Sequence, residues 1–299
     1  MNMKTCKVCL EKSYLMPEVD SYKSWNLYHC GKCDVQFFEP FKEPETKYYD
    51  SQPTPPKKSL FDRIIESIKP IPWNFKEFFD GFPFRSSLET RGRILDIGCG
   101  NGQFLKLCDD VAFSPYGLEI VKYETESLEK NGIPCFNGYL NDFVVYNCGE
   151  KKFDTVSCFE VFEHITDHLT FLDNIKNVLV PSGNLVMSVP NRNRTILFSD
   201  DDVPEGHLTR WSVKSLENIL DKAGFRVIYS KVRPFSIYTL AGNIWHAQFL
   251  RFIRREFGTL GKIISLILQV TLATILWLPM RLAGAQGRNI YIEAVKKDA

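Results

Sequence analysis

The sequence predicts an α/β protein built on a Rossmann-like, doubly wound sheet whose last strand is antiparallel. Three observations predict this fold class. Residues 90–232 alternate short apolar runs with amphipathic stretches, a glycine cluster follows the first run, and glycine or proline signals end several of the amphipathic stretches. Ligands of such sheets bind at the carboxyl ends of the strands, so the side chains that follow each run are the candidate site.

Each strand and helix follows from its own local pattern. The first strand covers residues 93–96, a helix starts at Gln103, and the second strand ends near Glu119. Gly132 and Gly224 are expected to close helices, and Ser212 to cap the N-terminus of another. The remaining strands are predicted in "IPCFNGYLNDF", "FDTVSCFEV", "NLVMSVP", "FRVIYSKV" and "RNIYIEAVKK", and a further helix, stopped by Pro-Ser-Gly, in "DHLTFLDNIKNVLVPSG".

Composition excludes some classes of function. The chain has 299 residues, 44% apolar and 24% charged, with a formal net charge of +1, so no global field favours nucleic acid. The start "MNMKTCKVCLEK" has no apolar core of a signal peptide, and nine cysteines are arranged as ligands or core residues rather than as disulfide pairs. We expect a reducing, cytoplasmic location.

The first fifty residues predict a zinc ribbon. "CKVC" and "CGKC" each present two thiolates from one tight turn, and the aromatic residues between them (Tyr14, Tyr22, Trp25 and Tyr28) are too few for a core without metal. Four thiolates close the site, so the zinc is expected to be structural. Its ligands are Cys6, Cys9, Cys30 and Cys33.

A proline-rich linker follows the ribbon. "SQPTPPKK", residues 51–58, predicts an extended arm, and phenylalanines then recur at three-to-four spacing (Phe75, Phe78, Phe79 and Phe82). Two interpretations stay open for this aromatic stretch. It packs as a helix on the next domain, or it forms a lid or a membrane-facing surface.

The glycine loop "LDIGCGNG" indicates the cofactor. Its glycines are two apart, unlike the GxGxxG of nicotinamide-binding folds, and Asp96 directly before it would repel a pyrophosphate. A carboxylate there suits a ligand with an ammonium group and no phosphate, and S-adenosylmethionine is such a ligand. Glu119 is placed for the ribose hydroxyls and Asn141–Asp142 for the adenine amine. The predicted cofactor contacts are Asp96, Gly98, Cys99, Gly100, Gly102, Glu119, Asn141, Asp142 and Phe159.

At these residues the chain resembles the class I S-adenosylmethionine-dependent methyltransferases. "ILDIGCGNG" looks like their first motif, Glu119 like their ribose-binding acid, and "FDTVSCFEVFEHI" like their fourth motif. "HLTRWSVKSLENILDKAGF" is similar to a segment that many bacterial members carry after the fifth strand. The two CxxC pairs and a Tyr-Tyr-Asp arm (residues 48–50) are similar to methyltransferases of sugar, glycan and natural-product pathways.

The segment "CFEVFEHITDHL" supplies the acceptor-side candidates. Glu160, Glu163 and His164 are expected to share one helical face, and His207 to join them. "ExxEH" resembles the magnesium-binding segment of ubiquinone-pathway O-methyltransferases and of small-RNA 2′-O-methyltransferases. Three roles stay open for the cluster: a metal site, here Mg²⁺, a general base or substrate contact, or a structural role. Asp167 is expected to cap the next helix, and His168 is expected to belong to that helix.

An apolar insertion separates the sixth and seventh strands. "TLAGNIWHAQFLRFIRREF" predicts an amphipathic helix whose stripe includes Phe249, Phe252 and Ile253, opposite Arg251, Arg254 and Arg255. Residues 263–280 carry no charge and are a borderline membrane span. A single crossing would separate the seventh strand from its sheet. The insertion is therefore expected to enter or lie on the membrane as a unit, or to form a buried or oligomer-forming helix pair.

Together these observations predict four units and one activity. The units are a zinc ribbon (1–50), a linker with an aromatic arm (51–89), a catalytic domain (90–233 with 287–299) and an apolar helical insertion (234–286). The resemblance implies methyl transfer to a hydroxyl of a glycan, sugar-lipid or quinone-like acceptor, at the cytoplasmic face of a membrane. Two alternatives are sugar C-methylation and a non-catalytic zinc-ribbon scaffold. Oligomeric state and acceptor identity do not follow from the sequence.

Overall fold

The computed structural model describes residues 4–13, 15–17, 25–42, 72, 74–79, 92–147, 149, 152–195, 204, 206–237, 240–241, 244 and 247–297. Its strands are β1 (Lys4–Thr5), β2 (Lys12–Ser13), β3 (Leu15–Pro17), β4 (Asn26–Cys30), β5 (Gln36–Glu39), β6 (Arg93–Ile97), β7 (Ser114–Glu119), β8 (Cys135–Asn137), β9 (Phe153–Phe159), β10 (Leu179–Pro190), β11 (Thr209–Arg210), β12 (Phe225–Pro234) and β13 (Gln286–Lys296). Its helices are α1 (Gln103–Asp110), α2 (Lys122–Lys130), α3 (Leu140–Asn147), α4 (His168–Val178), α5 (Val213–Lys222), α6 (Gln248–Glu256) and α7 (Gly258–Leu282), with a 3₁₀ turn at Phe162–His164.

The predicted doubly wound sheet is confirmed. Seven strands lie in the order β12-β13-β10-β9-β6-β7-β8. β13 runs antiparallel between β10 and β12, while the pairs from β10 to β8 are parallel. The sequence of β6, "RILDI", suits its interior position, because a strand covered on both faces buries its side chains on both sides, and four of its five residues are buried, three of them apolar.

Local capping agrees with the sequence at two helices, and one helix ends earlier than predicted. The Asp167 carboxylate accepts from Thr170 N at the start of α4, and Ser212 caps α5 in a capping box with Ser215. The "LVPSG" that was predicted to finish α4 instead opens β10, because Leu179 pairs with Phe153 of the neighbouring strand.

Of the N-terminal strands, β1 and β2 pair only with each other, and β3, β4 and β5 form a smaller sheet with β11 in the order β11-β5-β4-β3. Its last strand, β11, comes from the chain between β10 and α5, so this sheet joins the ribbon to the larger domain. The side chains of Val35 and Phe37 lie in the same buried cluster as Leu172 and Trp211. The unit boundaries at residues 50, 89, 233 and 286 stay predictions.

The described part of the aromatic arm packs on the sheet. Phe78 is buried against Phe104 and Phe113, with ring centroids 5.2 and 6.0 Å apart. The buried Glu77 carboxylate accepts hydrogen bonds from Lys231 Nζ at 2.7 Å and from the Tyr229 hydroxyl at 2.6 Å. These contacts favour the packing interpretation for residues 74–79. Phe82, residues 51–58 and the Tyr-Tyr-Asp arm lie outside the described residues.

The insertion forms a helical hairpin that is only partly covered. Leu250 and Ile253 of α6 are buried, but Phe249 and Phe252 are 66% and 58% exposed, so the protein covers only one edge of the predicted apolar stripe. The two aromatic rings face away because the helix packs on the protein through its 250/253 edge. Among the described residues, α7 is the one helix long and apolar enough to cross a membrane.

Candidate active site

The glycine loop lies at the carboxyl end of β6, as predicted. Gly98, Gly100 and Gly102 all have positive φ, at 71°, 49° and 69°. Gly98 N donates to Leu118 O at 2.8 Å, which fixes the loop to β7. A Cβ atom added at Gly98 would lie 2.5 Å from Val161 Cγ2, so glycine is required there both by its φ and by the close approach.

Two carboxylates sit under and beside this loop. Glu119 ends β7, and its two oxygens accept from Gly100 N at 2.9 Å and from Val121 N at 3.0 Å. Asp96 is buried beneath the loop and accepts a hydrogen bond from Ser157 Oγ at 2.7 Å. Burial raises the pKa of Asp96 to about 7, the Ser157 hydrogen bond opposes that rise, and the negative charge of Glu119 adds to it.

A cavity of about 600 Å³ opens at this edge of the sheet. That volume is in the range of sites that hold a nucleoside-sized ligand. Of the predicted site residues, it is lined by Gly98, Glu119, Asn141, Asp142, Glu160 and His164. The other residues around it include Ile120, Tyr139, Val161, Ile165 and Thr166 from the turns after β7, β8 and β9, and Thr170 from α4.

Phe159 is placed away from this cavity. Its ring centroid lies 4.9 Å from that of Phe104 and 5.2 Å from that of Phe75. Phe159 therefore belongs to the aromatic cluster under the aromatic arm. Alternation along β9 explains the placement, because neighbouring residues of a strand face opposite sides. Four further predicted cofactor contacts, Asp96, Cys99, Gly100 and Gly102, do not line the cavity but lie in the strand and loop around Gly98. Glu163 and His207 do not line it either.

The expectation that Glu160, Glu163 and His164 share a helical face is wrong. Glu160 precedes the 3₁₀ turn and has a left-handed φ of 57°. Its Oε1 atom accepts from Ser188 Oγ at 2.8 Å and from Asn289 Nδ2 at 2.9 Å, which turns this carboxylate toward β10 and β13. Both partners are distant in sequence. A serine inside the apolar strand "NLVMSVP" and an asparagine at the start of "NIYIEAV" were their only signals.

Glu163, His164 and His207 do come together. Glu163 Oε1 lies 3.9 Å from His164 Nε2 and 3.7 Å from His207 Nε2, and the Glu163 side chain is fully buried. His164 Nδ1 lies 2.6 Å from Gly206 O, so Nδ1 carries the proton and Nε2 is the acceptor. Burial, with help from His207, lowers the pKa of His164 to about 4, which keeps the ring neutral at pH 7.

This group of three has the donors of a metal site. The three ligand atoms all lie within 4.8 Å of one another. One carboxylate and two imidazoles suit Zn²⁺, Mn²⁺ or Fe²⁺, whereas Mg²⁺ prefers an octahedron of oxygen atoms. The donor set therefore fits a transition metal better than Mg²⁺, the ion that the resemblance suggested for the metal role.

The four N-terminal cysteines fit a zinc ion. All four are buried, with Cys6 Sγ 3.9 Å from Cys33 Sγ and Cys9 Sγ 4.0 Å from Cys30 Sγ. A tetrahedral zinc with Zn–S bonds of about 2.3 Å separates its sulfur atoms by about 3.8 Å. Val8 N points at Cys6 Sγ at 3.4 Å, a contact that favours a thiolate.

A family profile covers this region. The profile described as "Methyltransferase domain" matches residues 73–230, more than half of the chain. Two solved structures share the fold: a SAM-dependent methyltransferase from Archaeoglobus fulgidus (TM-score 0.51, 19% identity, 80% of this chain and 100% of that chain) and a putative sarcosine dimethylglycine methyltransferase from Galdieria sulphuraria (TM-score 0.50, 17% identity, 75% and 85%).

Curated relatives match a shorter stretch. The ubiquinone biosynthesis O-methyltransferase of Proteus mirabilis is 31% identical over 113 residues, 36% of this chain and 45% of the relative. The human mitochondrial ubiquinone biosynthesis O-methyltransferase is 30% identical over 177 residues, 52% of this chain and 46% of the relative. The chain thus spans about half the length of these relatives.

The glycine loop, the acid that ends β7 and the sheet order agree with the family match. The chain belongs to the methyltransferase domain family, whose profile covers more than half of it.

Proposed function

We propose that this protein transfers a methyl group from S-adenosylmethionine to a hydroxyl of a small, membrane-borne acceptor of the quinone-like class. The single observation that carries the proposal is the convergence of Glu163, His164 and His207 next to the cavity that Gly98 and Glu119 line. The names of the curated relatives, which are O-methyltransferases of ubiquinone biosynthesis, agree with a hydroxyl acceptor.

The cofactor side of the cavity has groups for the ribose and the adenine, and a third group lies beneath it. We assign the ribose hydroxyls to Glu119 and the adenine to Asn141 and Asp142, which line the cavity, and the ammonium group to Asp96, which lies under the glycine loop. Each Glu119 oxygen accepts one backbone hydrogen bond and retains a second acceptor position for a hydroxyl. Bound here, the sulfonium supplies an electrophilic methyl carbon, and positioning then accounts for most of what the protein must add.

The acceptor side has groups that can hold and deprotonate a hydroxyl. As the acceptor oxygen bonds to the methyl carbon and the carbon–sulfur bond breaks, the hydroxyl proton needs a base. His164 Nε2 is a neutral acceptor that lines the cavity, and it lies 3.9 Å from the buried Glu163 carboxylate. If a divalent cation is present, Glu163, His164 and His207 would hold it, and it would position and acidify the hydroxyl.

A binding titration and an acceptor screen test this proposal. We expect S-adenosylmethionine to bind the intact chain with micromolar or tighter affinity and to methylate a catechol or hydroquinone probe. His164→Ala should lower kcat at least 100-fold with cofactor affinity unchanged, while the surface control Glu129→Gln should match the parent. No detectable cofactor binding, or equal activity of His164→Ala and Glu129→Gln, would contradict it.

The insertion supports placement at a membrane surface. One side of α7 is tied to the protein, since Gln269 Nε2 donates to Ala241 O and Trp277 Nε1 donates to Phe235 O, both at 3.0 Å. The other side exposes the apolar residues Ile263, Leu266, Ile267, Val270, Ile275 and Leu278. Arg251 and Arg255 on α6 supply positive charge for anionic headgroups.

The geometry favours an interfacial position over a crossing. The insertion leaves the sheet at the end of β12 and returns to it at the start of β13. These two points are neighbours, because Pro234 of β12 pairs with Gln286 of β13. α6 has nine residues and is about 14 Å long, too short to make the return through a hydrocarbon core of about 30 Å. We therefore place the hairpin flat in the headgroup region, with Phe249 and Phe252 inserted.

Vesicle flotation tests the membrane placement. The intact chain should float with phosphatidylglycerol-containing vesicles and less with pure phosphatidylcholine. Phe249→Glu with Phe252→Glu should abolish flotation, whereas Val145→Glu, at a residue 74% exposed on α3, should have no effect. A chain that stays unbound to both kinds of vesicle would contradict the placement.

A further inference from the structure

The segment that carries His207 is held between the ribbon and the active site. Leu208 N donates to Glu163 O at 3.0 Å, and Leu208 O accepts from Phe38 N of the ribbon at 3.0 Å. One peptide unit on each side of Leu208 thus links strand β5 to the 3₁₀ turn that carries Glu163. Leu208 is buried, so these hydrogen bonds are shielded from water.

Strand pairing extends this link. In the antiparallel β5–β11 pair, Thr209 lies opposite Phe37 and Arg210 lies opposite Gln36, whose Oε1 accepts from Arg210 Nη1 at 3.2 Å. β11 has two residues, too few to keep a fixed position without a neighbouring strand. On its other side the chain is held after β11, where Trp211 bridges Asn191. The position of β11, and with it that of His207, therefore depends on β5 as well as on this bridge.

Asp34 makes a second link, directly beside a cysteine of the ribbon. It follows Cys33, and its Oδ2 atom accepts from Ser212 Oγ at 2.7 Å and from Arg192 Nη2 at 2.8 Å. Ser212 caps α5 and Arg192 follows β10, so this carboxylate joins the cysteine turn to both chain segments that flank residues 193–211.

The cysteines set the geometry of this turn. Between β4 and β5, Cys30 N donates to Val35 O at 2.9 Å and Asp34 N donates to Cys30 O at 3.0 Å. A small module of this kind derives much of its folding free energy from its metal. Loss of the metal would release Asp34 and the edge of β5 together.

We infer that the cysteine module is a brace for the acceptor site, with Asp34 and the β5–β11 pairing as positioning elements that hold His207 against Glu163. The inference rests on the proposed function only in naming the Glu163 cluster the acceptor site. The cofactor loop is held by β7 instead, through Leu118 and Glu119, so the brace acts on one half of the cavity.

Hydrogen exchange of the full-length, metal-loaded chain tests the brace without any activity measurement. Asp34→Gly removes the carboxylate, and glycine tolerates the left-handed φ of 64° at this position. Its matched control is Glu11→Gln, which breaks the ribbon's ion pair with Lys222 but does not reach β11. We expect amides of residues 206–212 to exchange at least tenfold faster in Asp34→Gly, and residues 93–97 and 115–119 to keep their protection in both variants.

A stronger perturbation removes the metal. Cys30→Ser with Cys33→Ser should expose residues 206–212 in the same way while leaving the affinity for S-adenosylmethionine within about threefold of the parent. If that variant loses protection in residues 93–97 as well, it has unfolded and Asp34→Gly alone decides. Unchanged exchange of residues 206–212 in Asp34→Gly would overturn the brace, even if methyl transfer is observed. Loss of that protection supports it, even if no acceptor is ever methylated.

Discussion

Ser157 on β9 donates a 2.7 Å hydrogen bond to Asp96 on β6, beneath the glycine loop. This single donor only partly offsets the burial of the carboxylate, which is why the pKa of Asp96 rises to about 7. A raised pKa means that the folded chain retains a proton that the unfolded chain gives up near pH 4. Stability is therefore lost as pH rises from about 4 to 7.

Asp96→Asn should separate stability from cofactor binding. Above pH 7 it should stabilise the ligand-free protein, by up to about 4 kcal/mol, because no buried charge forms. The parent's affinity for S-adenosylmethionine should rise up to tenfold per pH unit between pH 5 and 7 and then level off, while the variant's affinity should be weaker and flat. Calorimetric titration and thermal melts at pH 5.5 and 8 measure both effects. Identical pH slopes would contradict the role of Asp96.

Glu119→Gln should weaken cofactor binding at least tenfold. The carboxylate accepts from Gly100 N and Val121 N with separate oxygens, whereas an amide has one acceptor oxygen and would point its NH₂ at one of these donors. The loop would lose a hydrogen bond, and the ribose would lose a bidentate acceptor. Titration of the variant beside Glu124→Gln, a nearby acid on α2, checks this, since equal affinities would rule the role out.

Gly98→Ala should reduce stability and cofactor affinity more than Gly100→Ala does. Both positions have positive φ, but a Cβ at Gly98 meets Val161 at 2.5 Å, whereas nothing lies within 4 Å of a Cβ at Gly100. We expect Gly98→Ala to lower the melting temperature further and to abolish cofactor binding. Adding Val161→Ala should recover part of the loss. A double variant no better than Gly98→Ala would show that backbone strain, not the contact, dominates.

Metal analysis should separate the two clusters. The parent chain should retain one tightly bound zinc, and Glu163→Gln should keep it while losing any second, more weakly bound divalent cation. Cys30→Ser with Cys33→Ser should lose the tight zinc because two of its four ligands are gone. Elemental analysis after dialysis gives both stoichiometries. Retention of the tight zinc by the cysteine variant would contradict the assignment.

Local patterns were sufficient to predict the sheet and the glycine loop. Four consecutive residues of β6 are buried, and the positive φ of the three glycines that follow is a local property of the loop. Helix caps at Asp167 and Ser212 are local in the same sense. Each cap is formed by residues within one helical turn of it.

The acceptor side could not be predicted to the same degree. The orientation of Glu160 is decided by Ser188 and Asn289, which are far away in the chain and carry no distinctive motif. Helical periodicity was the wrong template there, because the segment after β9 makes one 3₁₀ turn. The contact between Phe38 and Leu208 is equally non-local, and neither residue attracts attention in the sequence.

The pairing of Pro234 with Gln286 gives the chain a modular character. These two residues face each other across neighbouring strands, so everything between them occupies the place of a hairpin turn. A turn of a few residues would close the same hairpin without changing the register from Phe225 to Val232. The helical hairpin can therefore be exchanged for another connection while the seven-stranded sheet stays as it is.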